Sequence, residues 1–190
     1  MTGTDVPVVT LPADGIAPFT GGLGNQADAS IYQPGTSDIV NNGIKAVDKL
    51  VSTSVNQPNY YAVSSASLAP SYGTSTNPAI VVITDSTLSL QNSAVGVTGY
   101  GVLIIPSALE ISNAPLRWTG IVVVKSSTGH VTINSGASGF INGALLIQPG
   151  AALNLQNNTT SFRLMYSCEA IDLPFGSKPF RIISTAETSF

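Results

Sequence analysis

The hydrophobic positions in the second half of the chain form a unit that repeats about every twenty residues. Each unit has a four-residue apolar run, a short polar corner, an alternating apolar–polar–apolar triplet and then an Asn. The four units are IVVITDSTLSLQN from Ile80, VLIIPSALEISN from Val102, IVVVKSSTGHVTIN from Ile121 and ALLIQPGAALNLQN from Ala144. The run starts are 22, 19 and 23 residues apart, and a fifth run, RLMY, begins 19 residues later at Arg163. This strand-like period predicts a mainly β protein built on a parallel, right-handed β-helix of about four to five coils.

The apolar runs and the triplets predict different degrees of burial. The runs are apolar throughout, as in a strand that is covered on both faces, here by the core and by a helix. The triplets alternate, so their middle residues should form a column that faces solvent. The run residues expected in the core or beneath the covering elements are Ile80, Val82, Leu103, Ile105, Val122, Val124, Leu145 and Ile147, and the outward column is Ser89, Glu110, Thr132 and Asn154.

Glycine and asparagine recur at fixed places in the units. Glycine precedes three of the apolar runs, where we expect sharp corners with positive φ. Asparagine ends each unit, where its side chain suits a corner and could bond the next coil in an amide ladder. These residues are Gly101, Gly120 and Gly143, followed by Asn92, Asn113, Asn134 and Asn157.

The spacing of apolar residues becomes helical over residues 37 to about 54. Val40, Ile44, Val47 and Val51 fall on one face there, which predicts one α-helix lying against the solenoid. The predicted organisation is an N-terminal segment over 1–78 that packs on the solenoid, the solenoid over 79–168, and a C-terminal cap over 169–190. Within these, loops and edge strands occupy residues 1–36, a connector occupies 56–78, and a further strand occupies 180–184.

The composition excludes several classes of protein. Only 9% of the residues are charged and 43% are hydrophobic, which is too apolar for a disordered chain. A net charge of −3, with seven scattered Lys and Arg, provides no basic surface for nucleic acid. No apolar stretch predicts a membrane-spanning helix. The surface rich in hydroxyl and amide groups favours an extracellular or cell-surface location, with the export signal or anchor outside the given sequence.

Residues that could carry chemistry are few. Cys168 is the only cysteine, so no intrachain disulfide can form, and we interpret it as a small buried strand residue. His130 is the only histidine and is expected at an exposed corner. Asp85 and Glu110 fall at different corners and form no carboxylate pair of the kind that glycoside hydrolysis needs. The sequence therefore predicts no catalytic, cofactor-binding or metal-binding residue, and no cofactor.

Four aromatic residues remain as candidates for contact with a ligand. Tyr60, Tyr61 and Tyr72 lie in the connector, and Trp118 precedes the third apolar run. If exposed together, such rings can stack on sugars, whereas tyrosines in a polar connector more often cover the edge of a core. Both interpretations of these four residues stay open from sequence.

The segment Gly99–Ile147 carries a further pattern. It has a Gly-x-Gly-apolar run, an L-x-I strand, a Trp-x-Gly-apolar run and an I-x-G-A-apolar strand, formed by Gly99, Gly101, Leu109, Ile111, Trp118, Gly120, Ile141, Gly143 and Ala144. This pattern resembles the C-terminal β-solenoid of bacterial type IV pilus assembly proteins of the PilX or minor-pilin type. The order of elements is similar over residues 38–166.

The resemblance implies a non-enzymatic structural or adhesive domain outside the cytoplasm. Its partners would be pilus or surface proteins, its own copies or a glycan, and not nucleic acid. The alternatives are a glycan-binding module and a self-assembling β-solenoid surface protein, with a polysaccharide-degrading β-helix enzyme ranked after them because no carboxylate pair is visible.

Overall fold

The chain folds as a β-solenoid of about four turns in which the strand pairs are parallel. The computed structural model describes residues 37–91, 96–134, 136–155 and 161–175, without the side chains of residues 37–39, 155 and 161. The expectations for residues 1–36 and 180–184 lie outside this part of the chain. The mainly β solenoid class with a covering helix, predicted from the repeat, is confirmed.

The described residues form two helices and eleven strands, with 3₁₀ turns at Ser65–Ser67 and Leu173–Phe175. In chain order they are α1 (Ser37–Ser54), β1 (Tyr60–Val63), β2 (Ser71–Tyr72), β3 (Ala79–Ile83), β4 (Thr87–Leu90), β5 (Val97–Ile105), β6 (Ala108–Ile111), β7 (Leu116–Val124), β8 (His130–Ile133), β9 (Ser138–Ile147), β10 (Ala152–Leu155), β11 (Ser161–Tyr166) and α2 (Cys168–Asp172).

The strands form two sheets, and each coil from β3 to β10 contributes one strand to each. The long sheet has the order β1-β3-β5-β7-β9-β11, with β2 also paired to β5. The short sheet has the order β4-β6-β8-β10. In the long sheet Ile80, Val102, Ile121 and Ala144 stand in one register column. The alignment of the four apolar runs read from the sequence is therefore the register of the folded chain.

Alternate residues of each run point into the solenoid and out of it. Leu103, Ile105, Val122 and Val124 are buried inside, where they meet the inward residues of the short sheet such as Leu109. The intervening residues of β5 and β7 point outward and are covered by the apolar face of α1, formed by Val40, Ile44 and Val47. Because both sets are removed from water, the runs contain no polar residue. Burial of one such side chain contributes about 1.5 to 3 kcal/mol.

Helix α1 is also held by two polar contacts to the solenoid. Asp48 accepts a hydrogen bond from Lys125 Nζ at 2.7 Å, and Gln148 Nε2 donates to Asn41 Oδ1 at 3.2 Å. Both contacts join the helix to the corner that follows an apolar run. The helix is thereby positioned along the outer face of the long sheet.

The glycines expected at corners lie instead within long strands. Gly101, Gly120 and Gly143 form one register column in the middle of β5, β7 and β9. Their φ angles are 122°, 132° and 137°, so the positive φ was predicted correctly but the corner was not. A Cβ at Gly120 would overlap the carbonyl oxygen of Gly101 in the preceding coil, and one at Gly143 would overlap that of Gly120. At these three positions the positive φ directs a Cβ at the preceding coil, so only glycine fits there.

The stack of strands begins and ends differently from the prediction. The connector over 56–78 contains β1, which pairs with β3 from Tyr60↔Ile80 to Val63↔Ile83, so the parallel stack starts at Tyr60. The fifth run is shifted, because Arg163 pairs with Phe140 rather than with Ala144. After β11 the chain turns into α2 rather than continuing the column.

The described part of the predicted cap covers a face of the solenoid. Ile171 of α2 and Phe175 pack with the outward residues of β5 and β7, in the same apolar cluster as α1. Residues 169–175 therefore extend the helical cover of the long sheet. The remainder of the predicted cap, 176–190, lies outside the described residues.

The predicted amide ladder does not form between Asn113 and Asn134. Asn134 stands in register after Ile133, beside Ser112, and its Nδ2 donates to the Ser112 hydroxyl. Asn113 is one residue further along its coil, so the two asparagines do not meet. Asn92 and Asn157 lie outside the described residues.

Replacing Gly120 by Ala should destabilise the fold strongly. The φ of 132° is strained for any residue with a Cβ, and the added methyl would overlap the carbonyl of Gly101. We expect the free energy of unfolding to fall by about 3 kcal/mol or more, as measured by urea unfolding.

The matched control for this substitution is Gly43→Ala. Gly43 lies within α1, where its added Cβ would be 3.1 Å from the flexible Leu146 Cδ1. We expect a change within about 1 kcal/mol there. Equal losses for the two variants would contradict the close inter-coil approach at Gly120.

Candidate functional site

Two of the four aromatic candidates for ligand contact are core residues. Trp118 is fully buried, and its indole Nε1 donates to the Gly101 carbonyl at 3.1 Å. It stands in register above Gly99, and a side chain at Gly99 would overlap its ring. Tyr72 is also buried and accepts a hydrogen bond from the Ala69 amide at 2.8 Å. The ligand-facing interpretation of Trp118 and Tyr72 is therefore wrong.

The other two tyrosines lie in β1 at the beginning of the stack. Tyr60 is half-buried, whereas Tyr61 is 38% exposed and meets the edge of Tyr72 with ring centroids 5.3 Å apart. Only one of the four rings thus presents substantial surface. The four do not form a shared stacking platform for a sugar.

A group of polar side chains in mutual contact lies on the outer face of the short sheet. Ser89, Glu110, Thr132 and Asn154 form the outward register column predicted from the triplets. Glu110 Oε2 accepts from Gln91 Nε2 at 2.8 Å and lies 3.4 Å from Ser89 Oγ, while Glu110 Oε1 lies 3.1 Å from His130 Nε2. We call Ser89, Gln91, Glu110 and His130 the polar cluster.

The sequence did not predict the contact between His130 and Glu110. His130 is the first residue of β8 and stands in register with Ala108, not with Glu110. Because Ala108 has a short side chain, the imidazole can reach diagonally to the carboxylate two positions along β6. Diagonal cross-strand contacts of this kind fall within the reach of long side chains. A search for acids two residues beyond the register partner of His130 would have found it.

The order of groups in the polar cluster differs from that of a serine-nucleophile triad. In a triad the histidine stands between the serine and the acid. Here Glu110 stands between His130 and Ser89, and both of its oxygens are occupied by neighbouring side chains. What the cluster provides is a carboxylate held in a fixed orientation by hydrogen-bond donors on both sides.

Asp85, the other acid of the repeat, has a structural contact. Its Oδ2 accepts from the Ser65 amide at 2.7 Å, which joins the first coil to the second. Ser65 Oγ in turn donates to the Thr87 carbonyl at 2.7 Å. These bonds fix the Ser65–Ser67 turn above the start of the polar cluster. Among the described residues, no three His, Cys, Asp or Glu side chains stand close enough to hold a metal ion.

The depressions on the surface of the described residues include two that are partly lined by polar side chains. One is a cavity of about 260 Å³ between the first coil and Ser89, lined by Ser65, Ala66, Leu68, Ala69, Pro70, Ser89, Leu90 and Val97. The other is an open groove of about 510 Å³ beside α2, lined by Ser75, Thr76, Pro78, Glu169, Asp172, Leu173, Pro174 and Phe175. The first adjoins the polar cluster through Ser89, so we consider the cavity and the cluster together as the candidate site.

Cys168 is exposed and begins α2, so its interpretation as a buried strand residue is wrong. Its Sγ lies 3.0 Å from Tyr166 Oη, and the two side chains form a hydrogen bond. This hydrogen bond, followed by burial and by the charges of Cys168 and Asp172, raises the pKa of Tyr166 to about 12. The neutral phenol is thereby favoured at the junction between β11 and α2.

Comparisons with known proteins find no matching family model, no similar curated protein and no similar solved structure. Within the described part of the chain, neither helix is long and apolar enough to cross a membrane.

The contact between Glu110 and His130 should couple the two residues only weakly in stability. Their side chains are 28% and 40% exposed, so solvent screens the pair. In a double-mutant cycle of Glu110→Gln and His130→Gln, we expect a coupling free energy of at most about 1 kcal/mol in urea unfolding. A coupling well above that value would mean that the pair is an essential part of the fold.

The titration of Tyr166 should depend on Cys168. Cys168→Ala removes the hydrogen bond that contributes most to the raised pKa, so the pKa of Tyr166 should fall from about 12 towards 10.0. Ultraviolet absorbance of the ionised phenol measures this directly. Since the folded-state pKa lies above the unfolded value, the contribution of Tyr166 to stability is present below pH 10 and is lost as the pH rises towards 12. An unchanged titration in the variant would show that burial and the charge of Asp172, and not Cys168, shift the pKa.

Proposed function

We propose that this protein is a non-enzymatic structural and adhesive domain, exposed outside the cytoplasm in association with type IV pilus-like machinery. The observation that carries the proposal is the stack of parallel strands from β1 to β11, with an apolar core and an inter-coil hydrogen-bond ladder. In such a solenoid each turn is held mainly by its neighbours, which makes the body a stiff spacer. A spacer with one polar face suits a domain that presents a binding surface away from a cell.

Several residues that carry the resemblance over Gly99–Ile147 contact one another in the folded chain. Its most distinctive member, Trp118, fits over Gly99, and its glycines form the Gly101–Gly120–Gly143 column. The resembling residues therefore cooperate in one packing arrangement across three coils. The pilus association is inferred from the resemblance of these residues by analogy.

The polar cluster favours recognition over hydrolysis. Both oxygens of Glu110 are hydrogen-bonded to neighbouring side chains, so the carboxylate is fixed as an acceptor. The nearest repeat acid, Asp85, is engaged with the Ser65 amide at another corner. Hydrolysis of a glycoside would need two carboxyl groups facing one bond, about 5 to 9 Å apart. A fixed single carboxylate with amide and hydroxyl neighbours suits the binding of a polar ligand instead.

Hydrogen bonds at the first coil weigh against self-assembly through that end. Asn59 and Val63 direct their carbonyls to β3, so Tyr60 and Ser64 direct their backbone groups away from it. The Tyr60 amide already donates to Gln57, and Ser64 is engaged with Ser67 through both its amide and its carbonyl. Local turns thus occupy backbone groups at both ends of the β1 edge, which shortens the edge that an added strand could use.

The association with pili is tested by cell fractionation in the organism that carries the gene. An epitope-tagged chain should be recovered with pilin in the material sheared from intact cells, and should be lost from it when the pilus assembly ATPase is deleted. Gly120→Ala serves as the destabilised comparison and should reduce recovery in the sheared fraction. Retention of the wild-type chain in the cytoplasm, or surface recovery that is independent of the ATPase, would refute the proposed role.

A further inference from the structure

The cavity beside Ser89 has an apolar wall and a polar wall. Leu68 and Pro70 provide the accessible apolar surface, with the buried Val97 also in the lining, and the hydroxyl-bearing residues Ser65 and Ser89 provide the polar surface. Its volume of about 260 Å³ is below the usual range for drug-sized ligands, so it suits a single small ring. The first coil forms one side of the cavity, and that coil is held in place by the bonds from Ser65 to Asp85 and to Thr87.

The Ser89 hydroxyl is available to a ligand. It lies 3.4 Å from Glu110 Oε2, which is longer than the 2.5 to 3.0 Å of a good hydroxyl hydrogen bond. Glu110 itself is held firmly, at 2.8 Å from Gln91 Nε2 and 3.1 Å from His130 Nε2. A loosely bonded hydroxyl therefore stands between the cavity and an oriented carboxylate. A ligand hydroxyl could form the short hydrogen bond with Ser89 Oγ that Glu110 Oε2, at 3.4 Å, does not form.

The charges around the cavity select against anions. Glu110 adjoins it through Ser89, and Asp85 adjoins it through the amide of Ser65. The residues that line the cavity include neither Lys nor Arg. Two carboxylates without a nearby cation among the lining residues would repel a carboxylated or phosphorylated ligand. An anionic ligand is therefore disfavoured. Because both carboxylates are already paired with donors of the chain, the cavity suits a neutral ligand with hydroxyls on one side and an apolar face on the other.

We propose that this cavity binds one neutral sugar ring, as the terminal unit of a glycan. The C–H face of the ring packs on Leu68 and Pro70, and its hydroxyls bond to Ser89 and Ser65. A sugar hydroxyl is both donor and acceptor, so it can satisfy Ser89 while the Glu110 carboxylate stays paired with its own donors. This inference rests on the adhesive part of the proposed function and gives it a ligand class. It moves the expected glycan contact from the aromatic residues to the polar cluster.

The test is saturation-transfer difference NMR on the purified chain. The probes are the methyl glycosides of glucose, galactose, mannose and N-acetylglucosamine, with methyl glucuronoside as the anionic comparison. We expect transfer to at least one neutral glycoside and a weaker signal for the glucuronoside. Ser89→Ala should weaken the affinity for that glycoside about tenfold, which corresponds to the loss of one hydrogen bond.

A second variant blocks the cavity without removing a hydrogen bond to the ligand. Ala69 is exposed and lines the cavity, so Ala69→Trp should fill it and abolish the signal. Thr128→Ala, in the exposed corner before β8, is the matched control and should bind as the wild type does. Circular dichroism of each variant verifies the fold.

Three outcomes would overturn the inference: no transfer to any neutral glycoside, wild-type binding by both Ala69→Trp and Ser89→Ala, or preferential binding of the glucuronoside. The binding assay needs no pilus and the fractionation assay needs no sugar. Failure of the sugar site can therefore be distinguished from failure of the pilus association.

Discussion

The close, in-register stacking of one backbone coil on the next is the constraint on which the rest of this structure depends. In the register column of Gly101, Gly120 and Gly143 the positive φ directs a Cβ at the preceding coil, so a Cβ at Gly120 would overlap the carbonyl of Gly101, and one at Gly143 that of Gly120. No side chain fits there, so the column is glycine in three successive coils. Once this register is established, every other column follows from the alternation of residues along the strands.

The same register determines which strands are buried on both faces. Residues of one run alternate between the interior of the solenoid and the underside of α1, so the runs must be apolar at every position. This arrangement explains how a chain with 9% charged residues can fold around an extensive core. Helix α1 and the segment through α2 cover the outer face of the long sheet, whereas the short sheet presents hydroxyls, amides, Glu110 and His130 on its outer side.

The candidate site arises at the junction between a regular part of the solenoid and an irregular one. Ser89 and Glu110 belong to a regular outward column, which sets their spacing. The first coil departs from the repeat, because it has a 3₁₀ turn at Ser65–Ser67 where the later coils have a strand of the short sheet. This turn and the residues up to Pro70 form one side of the cavity beside Ser89. Regular coils provide rigidity, and the irregular coil provides a concave surface, which a flat sheet face lacks.

The repeat of apolar runs and triplets determined the fold class, the alignment of the runs and the outward column, because these depend on the local alternation of residues and on a period of one coil. The helix over 37–54 followed from its own 3.6-residue period. Only the tertiary structure decided the environment of Trp118, whose burial depends on the missing side chain of Gly99 in another coil. The same holds for the pairing of Glu110 with His130, which depends on the short side chain of Ala108, and for the shift of β11 against β9. Contacts between coils depend on the space that small side chains leave on the adjacent coil, and the pattern along a single coil does not contain that information.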